Sequence, residues 1–395
     1  MKKVILVFFA IVSTGLIFLS CSDDNSTEPQ GNDISWIKTF GGTGDEIGTS
    51  TTQTNDGYIV TGYTNSYGAG NYDAWLIKID PNGNEIWSKT FGGSNLDWAS
   101  SVEKTSDGGY VFAGGTESYG NGQKDIFFVK TDSVGNEIWA KTFGGINDDQ
   151  CNCLKPTTDG GYILVGETKS FGSGENDVYL IKTDSDGNQV WSKTFGGISY
   201  DWGSLVQQTT DEGYIITGTT DSFGSGYQVL LIKTDSNGNE IWSKTFGNMY
   251  FDSGSSVQQT TDGGYIITGS TGLSETNDEV YLVKTDSNGN LAWSKKFGGN
   301  SFDYGNSVKQ TVEGGYIISG IYGSVNKSPF YDVYLIKTSS NGSVEWSKTF
   351  GGSGDEVCGS VEQTSGGGYI IAGSVSATTD DLYLIKTDEN GYVNN

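Results

Sequence analysis

The 395-residue chain contains no histidine and no arginine. Without imidazole it can build no Ser-His-Asp or Cys-His nucleophile and no histidine metal site. Without guanidinium it lacks the usual bidentate clamp for carboxylates and phosphates. Proline and cysteine number four each, methionine two. Cationic patches of the kind nucleic acid requires are excluded by a formal charge of −25, so nucleic acid is ruled out as a partner. Beyond residue 20 there is no long apolar run and no helical period.

What is present is repetition. Trp36, Trp87, Trp139, Trp191, Trp242, Trp293 and Trp346 recur at spacings of 51 to 53 residues, and Tyr58, Tyr110, Tyr162, Tyr214, Tyr265, Tyr316 and Tyr369 follow the same beat. The stretch Val229 to Gly269 shows one unit. VLLIKTD reads as a buried strand ending at a turn where Gly238 takes a positive φ. Glu240 to Phe246 alternates like an outer strand, Ser256 to Thr260 reads as a short inner strand, and Thr261 to Gly264 as a hairpin turn leading into Tyr265 to Gly269. Gly62, Gly114, Gly166, Gly218, Gly269, Gly320 and Gly373 stand four residues after each tyrosine, where close approach of a neighbouring blade is expected. Four strands per 50-residue unit define an all-β fold, a seven-bladed β-propeller of four-stranded antiparallel blades. WIKTFGG near the start and DLYLIKTDENGYVNN at the end are complementary half-units. The N-terminal strand is therefore expected to complete the last blade and remove a free edge.

Residues 1–20 carry Lys2, Lys3 and an apolar run, as a secretory leader does. Leu19-Ser20-Cys21 resembles a bacterial lipobox, which implies cleavage before Cys21 and its acylation. Residues 21–34 form a polar, acidic tether, and 35–395 the propeller. The acids after Cys21 are similar to surface-export signals of Bacteroidetes lipoproteins. The expected address is thus the outer membrane or cell surface, reached through a lipid anchor.

Asp-x-x-Gly-x-x-x-Trp, as in Asp235, Gly238 and Trp242, resembles the tryptophan-docking motif of quinoprotein (PQQ-type) propellers, with a turn one residue shorter. The repeat DGGYI…TG…LIKTD…GN…WSKTFGG is similar to that of secreted and lipid-anchored repeat proteins of Bacteroidetes, over about nine-tenths of the chain. The resemblance implies a propeller, and with no arginine or histidine the quinone cofactor is not expected.

Each Phe-Gly-Gly, with Asn248 in place of the second glycine in one copy, is followed by an acid at one position: Glu46, Asp97, Asp149, Asp201, Asp252, Asp303 and Glu356. This ring reads either as caps on the crossing between blades or as a cation site. Beside it the blades differ, and Trp98, Trp202, Tyr200, Phe251, Phe302 and Tyr304 are the candidate ligand contacts, suited to sugar stacking or protein contact. Longer loops add Tyr67, Tyr72, Tyr119, Phe171, Phe223, Tyr227, Phe330 and Tyr331 to that face. The opposite face carries only tight turns.

Asp45-Glu46, Asp148-Asp149 and Asp355-Glu356 are the pairs a glycosidase could use. Gly-x-Gly-x-x-Asp, as in Gly68 to Asp73, is similar to calcium-binding repeats but differently spaced, and reads as a flexible loop. No cofactor is expected, with calcium the one ion in view. Two rows of lysine, such as Lys78 and Lys89, read as solvated strand faces. Cys151, Cys153 and Cys358 read as buried thiols.

The expectation is a non-enzymatic, monomeric binding or scaffold module for a glycan or envelope protein. An outer-membrane assembly factor and a carboxylate-based glycan hydrolase are the alternatives.

Overall fold

The structure, a computed structural model, describes residues 34–393 except 249, 275, 276, 300, 325–330 and 377. The leader, Cys21, the tether to residue 33 and Phe330 lie outside the described residues.

Seven antiparallel sheets of four strands follow one another along the chain. Blade 1 consists of Glu46–Thr54, Gly57–Thr64, Asp73–Ile79 and Glu85–Phe91, from innermost to outermost strand. Blades 2 to 6 repeat this order, and each innermost strand touches those of the blades on either side, so the ring closes. Blade 7 is built from both ends of the fold. Its outermost strand is Trp36–Phe40, paired with Asp380–Thr387 so that Trp36 faces Lys386 and Phe40 faces Leu382. The expected closure is therefore present, and no blade is left with three strands.

The core is not central but divided into seven wedges between blades. Ile59, Leu76 and Phe91 of blade 1, for example, pack on Val102, Phe112 and Phe127 of blade 2. Third strands such as Asp73–Ile79 are buried along their whole length because a wedge lies on each side. This explains their unbroken apolar runs, which alternation would not produce.

Each outermost tryptophan closes the wedge to the next blade. Trp191 lies against the Asp-Ser-Asn-Gly turn of blade 4, where a Cβ on Gly238 would stand 2.6 Å from its ring. Gly238 has φ +75°, which L side chains avoid. The turn is held by Asp235 Oδ1, which accepts the N–H groups of Asn237 and Asn239 at 2.9 and 2.8 Å. Trp191 also meets Tyr214 edge-on at 5.9 Å. Ring closure uses the same contact: Trp36 packs on Gly83 and Tyr58, and its Nε1 donates to Pro81 O at 3.1 Å.

Three readings of the sequence need correction. The glycine after each tyrosine admits its own blade's inner strand, not a neighbouring blade. A Cβ on Gly62 would meet Ile47 O at 1.7 Å, beside the bulge between Gly48 and Ser50. Inner strands start earlier than read, within a residue of the acid: Asp252–Gln259 rather than Ser256 to Thr260.

The Lys78 row is not a solvated face. Lys78, Lys182, Lys233 and Lys284 are buried, and their ammoniums pair with Asp56, Asp159, Asp211 and Asp262 of the hairpin turns at 2.6 to 3.0 Å. Their stems run along the wedge while the charge reaches the rim.

Candidate functional site

One face of the ring gathers the crossings from outermost to next innermost strand and the loops between second and third strands. The two meet directly: Tyr67 and Tyr119 hydroxyls donate to Gly41 O and Gly92 O at 3.0 and 2.8 Å. The other face carries the tight turns, as expected.

The seven acids all stand where a crossing enters an innermost strand, and all are buried. Asp97 Oδ2 accepts Gly93 N–H at 2.7 Å and the Ser118 hydroxyl at 2.6 Å, while Oδ1 takes the Thr116 hydroxyl. Asp149 repeats this with Gly145 at 2.7 Å, Ser170 at 2.6 Å and Thr168. Glu46 accepts Gly42 N–H and the Thr64 hydroxyl, both at 2.7 Å, and Asp201 accepts Gly197 N–H at 2.9 Å and the Ser222 hydroxyl at 2.5 Å. Asp252, Asp303 and Glu356 accept Asn248, Gly299 and Gly352 N–H at 2.6, 2.7 and 3.0 Å. The backbones of Asp97, Asp149, Asp201, Asp252 and Asp303 tie to the preceding blade, as where Asp97 N–H donates to Tyr72 O at 2.8 Å. Of the two readings of the ring, this geometry is that of caps.

A second acid, undervalued in the sequence, sits beside the first. Asp73 Oδ2 accepts the N–H groups of Ala69 and Gly70 at 2.9 and 3.2 Å, so the Gly-x-Gly-x-x-Asp loop is a closed cap and not a flexible segment. Gly92 separates the pair: a Cβ there would lie 2.2 Å from Asp73 Oδ1 and 2.7 Å from Asp97 Oδ2. Burial, and then the charge of Asp97, push the Asp73 carboxyl above the usual range. Asp177 is raised in the same way, by burial and then by Asp201.

The sequence-adjacent carboxylates separate. Glu46, Asp149 and Glu356 turn inward, whereas Asp45 meets the Tyr72 hydroxyl, Asp148 meets Lys169 and Asp355 meets Tyr331 N–H, each at 3.0 Å. Among the described residues, no three His, Cys, Asp or Glu side chains come together as a metal site.

The six candidate aromatics fall into three places. Trp98 and Trp202 are the second residues of inner strands, not loop residues as the repeat suggested, and both are half-buried. Trp98 lies over Gly115, with Lys124 Nζ 5.8 Å from its ring centre, in blade 2 and away from the others. Trp202 meets Tyr227 at 5.7 Å, and Tyr227 meets Phe251 at 4.9 Å, a chain of rings from blade 4 onto blade 5. Tyr200, Tyr250 and Phe251 are 41 to 43% exposed on this chain's borders. In blade 6, Phe302 and Tyr304 are coplanar to within 4° at 6.4 Å.

The turn face is not featureless. Hollows of about 670 and 780 Å³ lie over the docked tryptophans Trp191 and Trp87, floored by the Lys182–Asp159 and Lys78–Asp56 pairs. Nothing in the sequence marks them, because they arise where one blade's turns overhang the next.

No known sequence family matches the chain, and no curated protein matches it in sequence. Solved structures do match in fold. The Pan2 WD40 domain of Neurospora crassa is 9% identical with TM-score 0.51, covering 89% of this chain and 92% of that one. Sqt1 from Chaetomium thermophilum is 13% identical with TM-score 0.50, over 87% and 82%. Drosophila Plexin A, in complex with Semaphorin 1b, is 8% identical with TM-score 0.50, over 90% and 88%. At such identities the likeness is one of fold, and the class it defines is the seven-bladed β-propeller.

Proposed function

We propose that the protein is an exported, lipid-anchored binding or scaffold module of the cell envelope, without enzymatic activity, that engages a glycan or envelope protein through the loop-face aromatics of blades 4 to 6. The observation carrying this reading is the run Trp202–Tyr227–Phe251, bordered by exposed Tyr200 and Tyr250. It lies where the blades differ in sequence, beside Asp201, whose Oδ2 caps Gly197 N–H. Rings laid side by side on a polar rim suit stacking on sugars or a protein surface. The tryptophan docking described above supports the resemblance to quinoprotein-type propellers in architecture alone.

The leader and the Leu19-Ser20-Cys21 site support the anchor. Mature lipoproteins carry two or three acyl chains, as stable anchoring requires. Cys21→Ala should abolish palmitate labelling and release the protein from membranes; a labelled, membrane-bound variant refutes the anchor.

Binding is tested on a glycan array and by envelope pull-down. Ring truncations at a recognition site commonly cost ~2 kcal/mol each, about thirtyfold in affinity. Trp202→Ala with Phe251→Ala should therefore abolish capture. Trp98→Ala, two blades away, and Asn237→Ser on the turn face should not. Loss of the ligand by Asn237→Ser alone would move the site to the turn face.

A further inference from the structure

The innermost strands enclose a channel along the axis, with a cavity of about 130 Å³. Its wall is polar, formed by Ser100, Asn152, Ser204, Ser255 and Asn306 among others. Such a volume corresponds to roughly four waters, enough for a small organic molecule. The residue six positions after each ring acid lies in a collar toward the turn face, and this collar departs from sevenfold regularity.

The ordinary role of the collar position is visible in blades 4 and 5. Gln207 and Gln258 accept the backbone N–H of Gln259 and Gln310, in the following blades, at 2.7 and 2.6 Å. Glu362 of blade 7 does the same more loosely for Gln53, at 3.4 Å. A lysine has no acceptor and cannot make this staple. Yet blades 3 and 6 carry Lys155 and Lys309 there, in a chain with 23 cations against 48 anions.

The two lysines are not alike. Lys155 is paired with Glu103 of the adjacent blade. Desolvation would lower its pKa, but Glu103 holds it well above the ordinary lysine value. Lys309 also faces the channel, and no described carboxylate lies within ion-pair distance of its ammonium. Burial, and then repulsion from Lys155, pull its pKa down, while Glu362 and Glu103 act the other way. An ammonium and a carboxylate, Lys309 and Glu362, thus stand on neighbouring strands of a narrow channel without closing on each other.

We infer that the channel binds a small zwitterion, an α-amino acid with a short polar side chain, its carboxylate on Lys309 and its ammonium on Glu362. The collar holds two positive and two negative groups, so a simple anion would meet Glu362 and Glu103, and a simple cation would meet both lysines. A neutral dipolar ligand satisfies the open pair without adding net charge to a desolvated site. Hydroxyls and amides of the wall remain for its side chain.

Binding of glycine and L-serine to the purified protein is measured by calorimetry and ligand-observed NMR, with acetate and methylamine as single-charge probes. Serine should bind saturably, and acetate and methylamine at least tenfold more weakly. Lys309→Gln and Glu362→Gln should each weaken serine by about tenfold or more, the scale of one charged hydrogen bond. Both variants should fold, because glutamine is what blades 4 and 5 already carry, and a melting scan verifies this. Trp202→Ala should bind serine as the unmodified protein does. Absence of saturable binding by glycine and serine, unchanged affinity in folded Lys309→Gln, or acetate binding as tightly as serine would overturn the inference.

Discussion

At the scale of single residues, the tryptophan and the turn glycine beneath it form one device, and each should be costly to alter. Trp191→Ala removes a half-buried ring packed on Gly238 and Tyr214 and should cost about 3 kcal/mol in chemical denaturation, the lower end of the range for truncating a packed aromatic. Gly238→Ala should also destabilise, through strain at φ +75° and collision with the Trp191 ring. Trp98, also half-buried but closing no wedge, should cost clearly less when replaced by alanine. Equal losses at Trp98 and Trp191 would refute the docking role. The partners of this device were legible because both recur at fixed spacing and the turn chemistry names its glycine. Lys78 and its equivalents were misread for a physical reason. Alternation reports polarity, but a lysine can bury four methylenes in the wedge and still place its charge on a hairpin carboxylate. Only the neighbouring blade, invisible in the local pattern, decides between the two.

Among elements, the strand Trp36–Phe40 has the largest single effect on the fold, since it joins the first part of the chain to the last. Deleting residues 34–42 strips Trp36 from Gly83 and Tyr58 and leaves Asp380–Thr387 as an unpaired edge. The loss should be several kcal/mol, the cost of a buried tryptophan plus a strand's contacts, and should appear as a lower melting temperature with more aggregation. An unchanged melting temperature in that truncation would exclude closure by this strand. Ile37→Thr is a suitable control, because Ile37 is 41% exposed and should change stability little. Exposed Ile86, Ile138, Val190 and Ile241 have a related origin. Each is the extra residue of a bulge between the third and outermost strands, as where Lys78 faces Trp87 and Ile79 faces Glu85. The bulge turns the residue outward and twists the edge, which discourages edge pairing. Strand order and ring closure were readable from periodicity. Strand starts were not, because Asp252 belongs to the ladder through backbone pairing that a polar Asp-Ser-Gly-Ser run does not announce.

At the scale of the whole molecule, the loop face was legible and its chemistry only in part. The sequence shows an acid at the end of every crossing but not that the oxygens of Asp97 are taken by Gly93, Thr116 and Ser118, nor that Trp98 stands apart from Trp202. Those facts depend on which blades adjoin. The acids have a collective consequence that acidification should reveal. Burial raises Asp73, Asp177, Asp252, Asp303 and Glu356 above their ordinary values. Their protonated forms are therefore favoured by folding, so they oppose folding at neutral pH and cease to as pH falls through the raised values. The hairpin acids behave oppositely. The Lys130 ammonium holds Asp107 at about 2. Against the desolvation that would raise them, hydroxyl and lysine partners hold Asp159 and Asp262 at about 2 as well. These three favour folding above the unfolded value of 3.8 and lose that contribution as pH falls toward 2. Self-repulsion from a formal charge of −25 also eases as carboxylates protonate. The melting temperature should therefore rise from pH 7 to about pH 5, then fall steeply below about pH 4. Asp73→Asn and Asp177→Asn keep an oxygen for the loop N–H groups while removing the charge. Both variants should melt higher than the unmodified protein at pH 7 and show a smaller rise on acidification. A melting temperature that falls steadily from pH 7 to pH 4 would show that the buried pairs carry no such strain.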